Sequence, residues 1–239
     1  MTVIYRSPLA IVFQGRSEDV LPTLAKASVD CIVTDPPYGQ AWKGTGRQTE
    51  RAAFPQMEGD DGTADIGGTI GLALKALRPG RHLYVFGPEV LAGLPVTTAG
   101  LIWDKAILSP GAKACWGTTH EPITFGVYTP SQANRDRGDG RLAVRLRRGS
   151  VLRVPRLHSR QCARHPTEKP VRLVRQLVEA SSCIGEVILD PYAGSGATAV
   201  ASILTGRRAI AIEVDPGYCQ TIVNRVKEAE GLAQEIERL

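Results

Sequence analysis

Apolar residues fall in short runs separated by turn chemistry, with helical spacing between some of them. Ala10–Phe13 is a brief apolar run, and QGRSEDVLPTLAKAS after it reads as a loop and a short helix. Val29–Val33 is a stronger run, apolar on both faces as a central strand requires. Residues 39–68 are Gly-rich, polar and aperiodic, a length of loop that is functional or mobile. Thr69–Leu77 has helical spacing (Ile70, Leu74, Leu77) and meets the stop signal Pro79-Gly80. His82–Phe86, Leu101–Trp103 and Pro122–Tyr128 read as strands. Val171–Ala180 reads as a helix with Pro170 in its first turn. Glu186–Leu189 (strand), Ala199–Leu204 (helix), Ala209–Val214 (strand) and Gly217–Ile236 (long helix) complete the chain. Strands alternating with helices predict an α/β fold, a mostly parallel sheet covered on both faces. Ligands then bind beyond the carboxyl ends of the strands.

Two strands end in the same way. The run VDCIV stops in TDPPYG, where two prolines remove two backbone donors and end the ladder. EVILDPYAGSGATA, residues 186–199, ends in an Asp-Pro-aromatic followed by a glycine turn. Gly194, Gly196 and Ala199 fit the G-x-G-x-x-G/A pattern of a nucleotide-binding turn, in which glycine lets backbone approach a ligand. The next strand ends at Glu213, seventeen residues after Gly196, where an acid can accept hydrogen bonds from ribose hydroxyls. Asp190 stands immediately before the turn and would repel a pyrophosphate. It suits a cofactor with an ammonium group, which favours S-adenosylmethionine over NAD.

With a methyl donor at one strand-end, the other reads as the acceptor site. An exocyclic amine of a base is a weak nucleophile because its lone pair is delocalised into the ring. Asp35 can accept one of its N–H groups and stabilise the developing charge. The carbonyl of Pro36, fixed by the Pro36-Pro37 unit, can accept the other, and Tyr38 can stack on the base. A base inside a duplex must be flipped out to reach such a site. Stacking on Tyr38 offsets that unstacking by about 1–3 kcal/mol.

Composition changes this picture in one respect. The 239 residues suffice for one large domain, and 43% hydrophobic with 22% charged is ordinary for a soluble protein. No apolar run is long enough to span a bilayer, and the N-terminus has no signal-peptide pattern. Five scattered cysteines without a CxxC pair read as reduced thiols in a cytoplasmic protein. The charge, however, is uneven. Between Ser131 and Arg164 ten arginines face two aspartates, so this segment is +8 and the rest of the chain −3. A block of this kind points to a polyanion, and a nucleic acid is the natural one.

These motifs resemble the β class of amino-group (N6-adenine/N4-cytosine) DNA methyltransferases. That family places DPPY early and its glycine cofactor motif late, with a target-recognition region between, and the resemblance covers nearly the whole chain. LRPGRHLYVFG (77–87), LIWDK (101–105), HEPITFG (120–126) and HPTEKP (165–170) resemble further family segments. The resemblance implies a Rossmann-like methyltransferase fold, a circularly permuted seven-stranded sheet with one antiparallel strand. It divides the chain into a catalytic half (1–130), a small basic target-recognition insert (131–164) and a cofactor-binding half (165–239). Asp35, Pro36, Pro37 and Tyr38 match the catalytic motif. Asp190, Tyr192, Ala193, Gly194 and Gly196 match the cofactor turn, Glu213 the ribose-binding acid, and Thr167 and Lys169 the cofactor-side cap. Tyr192 stands where the family usually has Phe. Gly15-Arg16 stands where it often has Gly-Asp, leaving Glu18 or Asp19 as substitutes. Double-stranded DNA is the implied partner, with Arg141, Arg145, Arg147, Arg148, Arg153, Lys43 and Arg47 as candidate contacts. A homodimer is allowed, and no membrane is expected.

DPPY leans within the family towards adenine N6, and SPPY towards cytosine N4. Cytosine C5 chemistry needs a nucleophilic cysteine after a proline, and the chain has no Pro-Cys pair. His158, Cys162 and His165 are three zinc-type ligands without a fourth, so no metal site is expected. A NAD oxidoreductase leaves DPPY and the arginine block unexplained, and a non-catalytic DNA-binding relative is the remaining alternative.

Overall fold

The computed structural model describes residues 1–37, 65–87, 90–106, 119–131, 146, 148–156 and 168–237. Its strands are β1 (Thr2–Arg6), β2 (Ala10–Gln14), β3 (Val29–Thr34), β4 (Leu77–Phe86), β5 (Val96–Asp104), β6 (His120–Tyr128), β7 (Val151–Arg153), β8 (Val187–Asp190) and β9 (Arg208–Glu213). Its helices are α1 (Ser17–Val20), α2 (Ile66–Ala76), α3 (Val171–Ser181), α4 (Ala197–Ile203) and α5 (Pro216–Glu237). The strands form one sheet in the order β1-β2-β9-β8-β3-β4-β6-β5-β7. From β2 to β4 every pairing is parallel. Strand β6 runs antiparallel to both neighbours, β1 runs antiparallel at one edge, and β7 extends the other edge in parallel.

The seven strands from β2 to β5 in this order contain one antiparallel member, but they are only part of the sheet. The observed sheet has nine strands and two antiparallel members because β1 and β7 extend its edges. Strand β1 gives little sequence signal, since none of its residues is buried. It is fastened from outside: Tyr5 Oη donates to Glu230 of α5 at 2.7 Å.

Strand β3 is buried at all six positions, which accounts for its apolar run. Its alternation divides the core. Cys31 and Val33 pack with Tyr84, Phe86, Trp103 and the inner face of α3 (Leu173, Val174, Leu177). Ile32 packs on the other face with Leu83, Val85 and α2 (Ile70, Ala73, Leu74). Helices α4 and α5 cover the β2–β9 end through Val200, Ile203, Ile222 and Val226. The Pro79-Gly80 signal does end α2, but the chain passes directly into β4. Val29 pairs with Leu77 and Cys31 with His82, so the ladder bulges around Gly80 at φ 78°.

Candidate active site at one rim of the sheet

Strands β3 and β8 are parallel neighbours, Cys31 opposite Ile188 and Ile32 opposite Leu189. Their carboxyl ends therefore leave the sheet side by side. The Thr198 hydroxyl at the start of α4 reaches the Val33 carbonyl at 3.4 Å, tying the two ends together. Asp35 contributes to raising the pKa of Asp190, so the two carboxylates share one electrostatic neighbourhood.

The cofactor-type end is built from backbone. Gly194 (φ 51°) and Gly196 (φ 84°) adopt left-handed conformations that favour glycine. A Cβ on Gly196 would also lie 3.1 Å from Ile222, so the turn packs closely against α5. Glu213, at the end of β9, accepts from Gly194 N–H at 2.8 Å and from the Val214 and Asp215 N–H groups at 2.9 Å. Burial raises its carboxyl to about 7 against those hydrogen bonds. Burial likewise raises Asp190 to about 6, opposed by the Thr198 and Thr34 hydroxyls and the Tyr192 N–H. Ala193 N–H donates to Ile212 at 3.0 Å, joining the turn to β9. Tyr192 is buried enough to raise its phenol to about 12, with Glu18 and Asp65 adding to the rise. The Ser17 hydroxyl donates to the Pro191 carbonyl, so the start of α1 closes over this strand-end.

The acceptor-type end is built from side-chain charge. Lys169 Nζ lies 2.5 Å from Asp35 Oδ2 and 3.0 Å from Glu121 Oε1. The other oxygen of Glu121 meets Lys105 Nζ at 3.0 Å. The Lys169 ammonium also lies 5.1 Å from the Phe86 ring centroid and 6.0 Å from that of Trp103. Burial works against the ammonium, yet Asp35 and Glu121 hold its pKa above the usual lysine value. Burial would raise the Glu121 carboxyl, but Lys169 and Lys105 hold it below the usual range. One residue earlier, Glu168 pairs with Arg225 of α5 at 2.8 Å, both side chains nearly buried. Arg225 also donates to the Ser195 carbonyl at 2.8 Å and hydroxyl at 3.0 Å. Glu168 and Lys169 thus join the glycine turn to the DPPY strand-end.

The structure brings Asp35, Pro36, Pro37, Asp190, Tyr192, Ala193, Gly194, Gly196, Glu213 and Lys169 to this rim. Lys169, read from sequence as a cofactor-side residue, has its ammonium on Asp35. Tyr38, Thr167, Lys43, Arg47, Arg141, Arg145 and Arg147 lie outside the described residues, as do His158, Cys162 and His165. Arg153 ends β7 at the same rim, its Nε 2.7 Å from Asp104 at the end of β5. Arg148 precedes β7 and meets Glu179, near the end of α3, at 3.2 Å on the opposite rim. Glu18 accepts from the Thr69 hydroxyl at 2.8 Å and so turns towards α2, while Asp19 is exposed. Sequence reasoning missed Glu121, Lys105, Glu168 and Arg225; HEPITFG, LIWDK and HPTEKP mark the places of three of them but not their charge pairing.

Residues 102–224 match the DNA methylase family, just over half of the chain. The chain belongs to the DNA methylase family. It is 35% identical over 158 residues to the DNA adenine methyltransferase YhdJ of Escherichia coli, an alignment covering 56% of this chain and 54% of that protein. The chain thus spans about half the length of YhdJ. It is 25% identical over 252 residues to the type II methyltransferase M2.DpnII of Streptococcus pneumoniae, covering 95% of this chain and 92% of the relative. The crystal structure of the M1.HpyAVI–SAM complex superposes with a TM-score of 0.67 at 16% identity, over 91% of this chain and 99% of that one. No helix among the described residues is long and apolar enough to cross a membrane.

Proposed function

We propose that this DNA methylase transfers the methyl group of S-adenosylmethionine to the N6 amino group of adenine in double-stranded DNA, acting on a flipped base. The observation that carries the reading is the adjacency of two unlike strand-ends, Asp35 on β3 and Asp190 with Glu213 on β8 and β9. Likeness to YhdJ, whose name specifies adenine, supports the choice of base.

The donor set at the glycine turn fits the cofactor. Glu213 is an acceptor for ribose hydroxyls, and Asp190 is a carboxyl raised by burial that an ammonium group would favour ionised. When bound, S-adenosylmethionine supplies a methyl group made electrophilic by its sulfonium. Asp35 accepts one N–H of the adenine amine and offsets the charge that develops on nitrogen. The Pro36 carbonyl accepts the second N–H, and Tyr38 stacks on the base. Phe86 and Trp103, both buried, form the apolar side of this corner beside the Lys169 ammonium.

The remaining finer features follow from the same reading. DPPY precedes the glycine turn in sequence, a circularly permuted order of the methyltransferase fold. Residues 131–164 act as the target-recognition insert between halves 1–130 and 165–239, with arginines on phosphates. Arg153, at the active rim, is the described arginine best placed for DNA. So short an insert suits a homodimer, one subunit clamping DNA while the other methylates; light scattering of protein bound to a duplex checks this.

The test is to incubate purified protein with methyl-labelled S-adenosylmethionine and unmethylated DNA, then identify the labelled nucleoside by mass spectrometry. N6-methyladenine is the expected product. N4-methylcytosine overturns the choice of base and keeps the chemistry. Absence of label, with DNA still bound, overturns catalysis and leaves a DNA-binding relative.

A further inference from the structure

The acceptor strand-end carries more charge than one amino-group acceptor requires. Asp35, Lys169, Glu121 and Lys105 alternate in sign, with contacts of 2.5, 3.0 and 3.0 Å from first to last. The Lys169 side chain is 10% exposed, against 22% for Asp35, 17% for Glu121 and 18% for Lys105, so the ammonium is the most enclosed of the four charges. The ammonium is held on one side by two carboxylates and on another by the Phe86 and Trp103 rings. An ammonium confined in this way fixes whatever it binds. A carboxylate at the end of a strand can otherwise turn about its own side-chain bonds and exchange its oxygens.

We propose that Lys169 is a positioning residue of the acceptor site, and that Glu121 sets how much of its charge reaches Asp35. By pinning Oδ2, Lys169 holds the plane of the Asp35 carboxylate in the orientation an incoming amine must meet. Paired with Lys169 alone, Asp35 would be neutralised and become a weak acceptor. Glu121 draws part of the ammonium away, so Lys169 is shared between two carboxylates and does not neutralise Asp35 alone. Lys105, bound to the other oxygen of Glu121 and 5.0 Å from the Trp103 ring centroid, holds Glu121 in place. This role differs from cofactor contact: it acts through Asp35 and affects methyl transfer rather than cofactor affinity. The inference rests on Asp35 being the amino-group acceptor.

The experiment compares wild type, Lys169→Met, Lys169→Arg and Glu121→Gln. Each is measured for single-turnover methyl transfer at saturating DNA and cofactor, for S-adenosylmethionine affinity by calorimetry, and for thermal melting. Lys169→Met is expected to lower the rate by about 100-fold, the scale set by misplacing a reacting group. Its cofactor Kd is expected to stay within about threefold of wild type, because cofactor affinity lies with other residues. Lys169→Arg should recover at least about tenfold of the lost rate, and Glu121→Gln should lose about tenfold. A Lys169→Met rate within about threefold of wild type overturns the proposal, and so does a cofactor Kd that worsens in step with the rate. If Lys169→Met shows no cooperative melt, Glu121→Gln decides, since it exchanges one carboxylate for an amide of the same shape; a wild-type rate there overturns the proposal. An inactive wild type removes the methyltransferase reading itself, whereas an active wild type with an unaffected Lys169→Met removes this inference alone.

Discussion

The two strand-ends of the active rim share a sequence pattern and differ in how their charge is held. Asp35 ends β3 with a buried ammonium on its carboxylate. Asp190 and Glu213, at the ends of β8 and β9, have hydroxyls and backbone N–H groups as partners among the described residues. One end carries its own cation, whereas the buried carboxyls of the other have none beside them among the described residues. Under the proposed function the first receives a neutral amine. Under the same proposal the second takes a ligand that brings positive charge and hydroxyl groups. Two strand-ends that both open on Asp-Pro therefore differ in charge environment, and the difference comes from side chains far away in the sequence.

The largest expected effect separates the ends by chemistry. Asp35→Ala should lower the single-turnover rate by about a thousandfold, the upper range for removing one stabilising group. Quenched-flow measurement with labelled cofactor checks this.

The next tests how the ends are joined. Arg225 is buried against Glu168 and Ser195, so Arg225→Met leaves a buried carboxylate without its ion-pair partner. A loss of about 3 kcal/mol is expected by denaturant unfolding, the usual scale for breaking such a pair from one side. The double variant with Glu168→Gln should recover part of it.

The ends should also respond oppositely to acid. Asp190 at about 6 and Glu213 at about 7 lie above ordinary carboxyl values, so the folded chain binds more protons than the unfolded chain between about pH 4 and pH 7. Their contribution to stability is present below that window and is lost as the pH rises through it. Glu121 is shifted down, so its contribution is present near neutrality and is lost in acid. Glu213→Gln should therefore flatten the fall in Tm between about pH 4 and pH 7, followed by calorimetric scans. Affinity for S-adenosylmethionine should weaken as the pH falls through about 7, because the carboxylates lose charge.

The smallest effect belongs to the rim. Arg153 is 77% exposed beside Asp104. Arg153→Ala should leave Tm unchanged within error and reduce the salt dependence of DNA binding by about one phosphate contact, read from the slope of log K against log salt.

Much of this arrangement was legible in the chain because strand-end chemistry is written in contiguous residues. TDPPYG and DPYAGSG each contain a strand stop and a candidate carboxylate, and Glu213 follows at a fixed offset. The pairing of Lys169 with Asp35 spans 134 positions and depends on sheet order. Sequence spacing cannot reveal it. The arginine block shows the same limit. Arg148 and Arg153 are five residues apart, yet a three-residue strand carries them to opposite rims. Strand β1 was missed because an exposed edge strand needs no apolar face, and Tyr5 is anchored by a residue of the last helix.

The most direct measurement places Asp35→Asn and Glu213→Gln on two axes, methyl-transfer rate at saturating cofactor and Kd for S-adenosylmethionine. The expected result is a split: Asp35→Asn falls in rate with Kd near wild type, and Glu213→Gln weakens Kd with a near-normal saturated rate. Both variants moving along the same axis would contradict the division of labour between the two strand-ends.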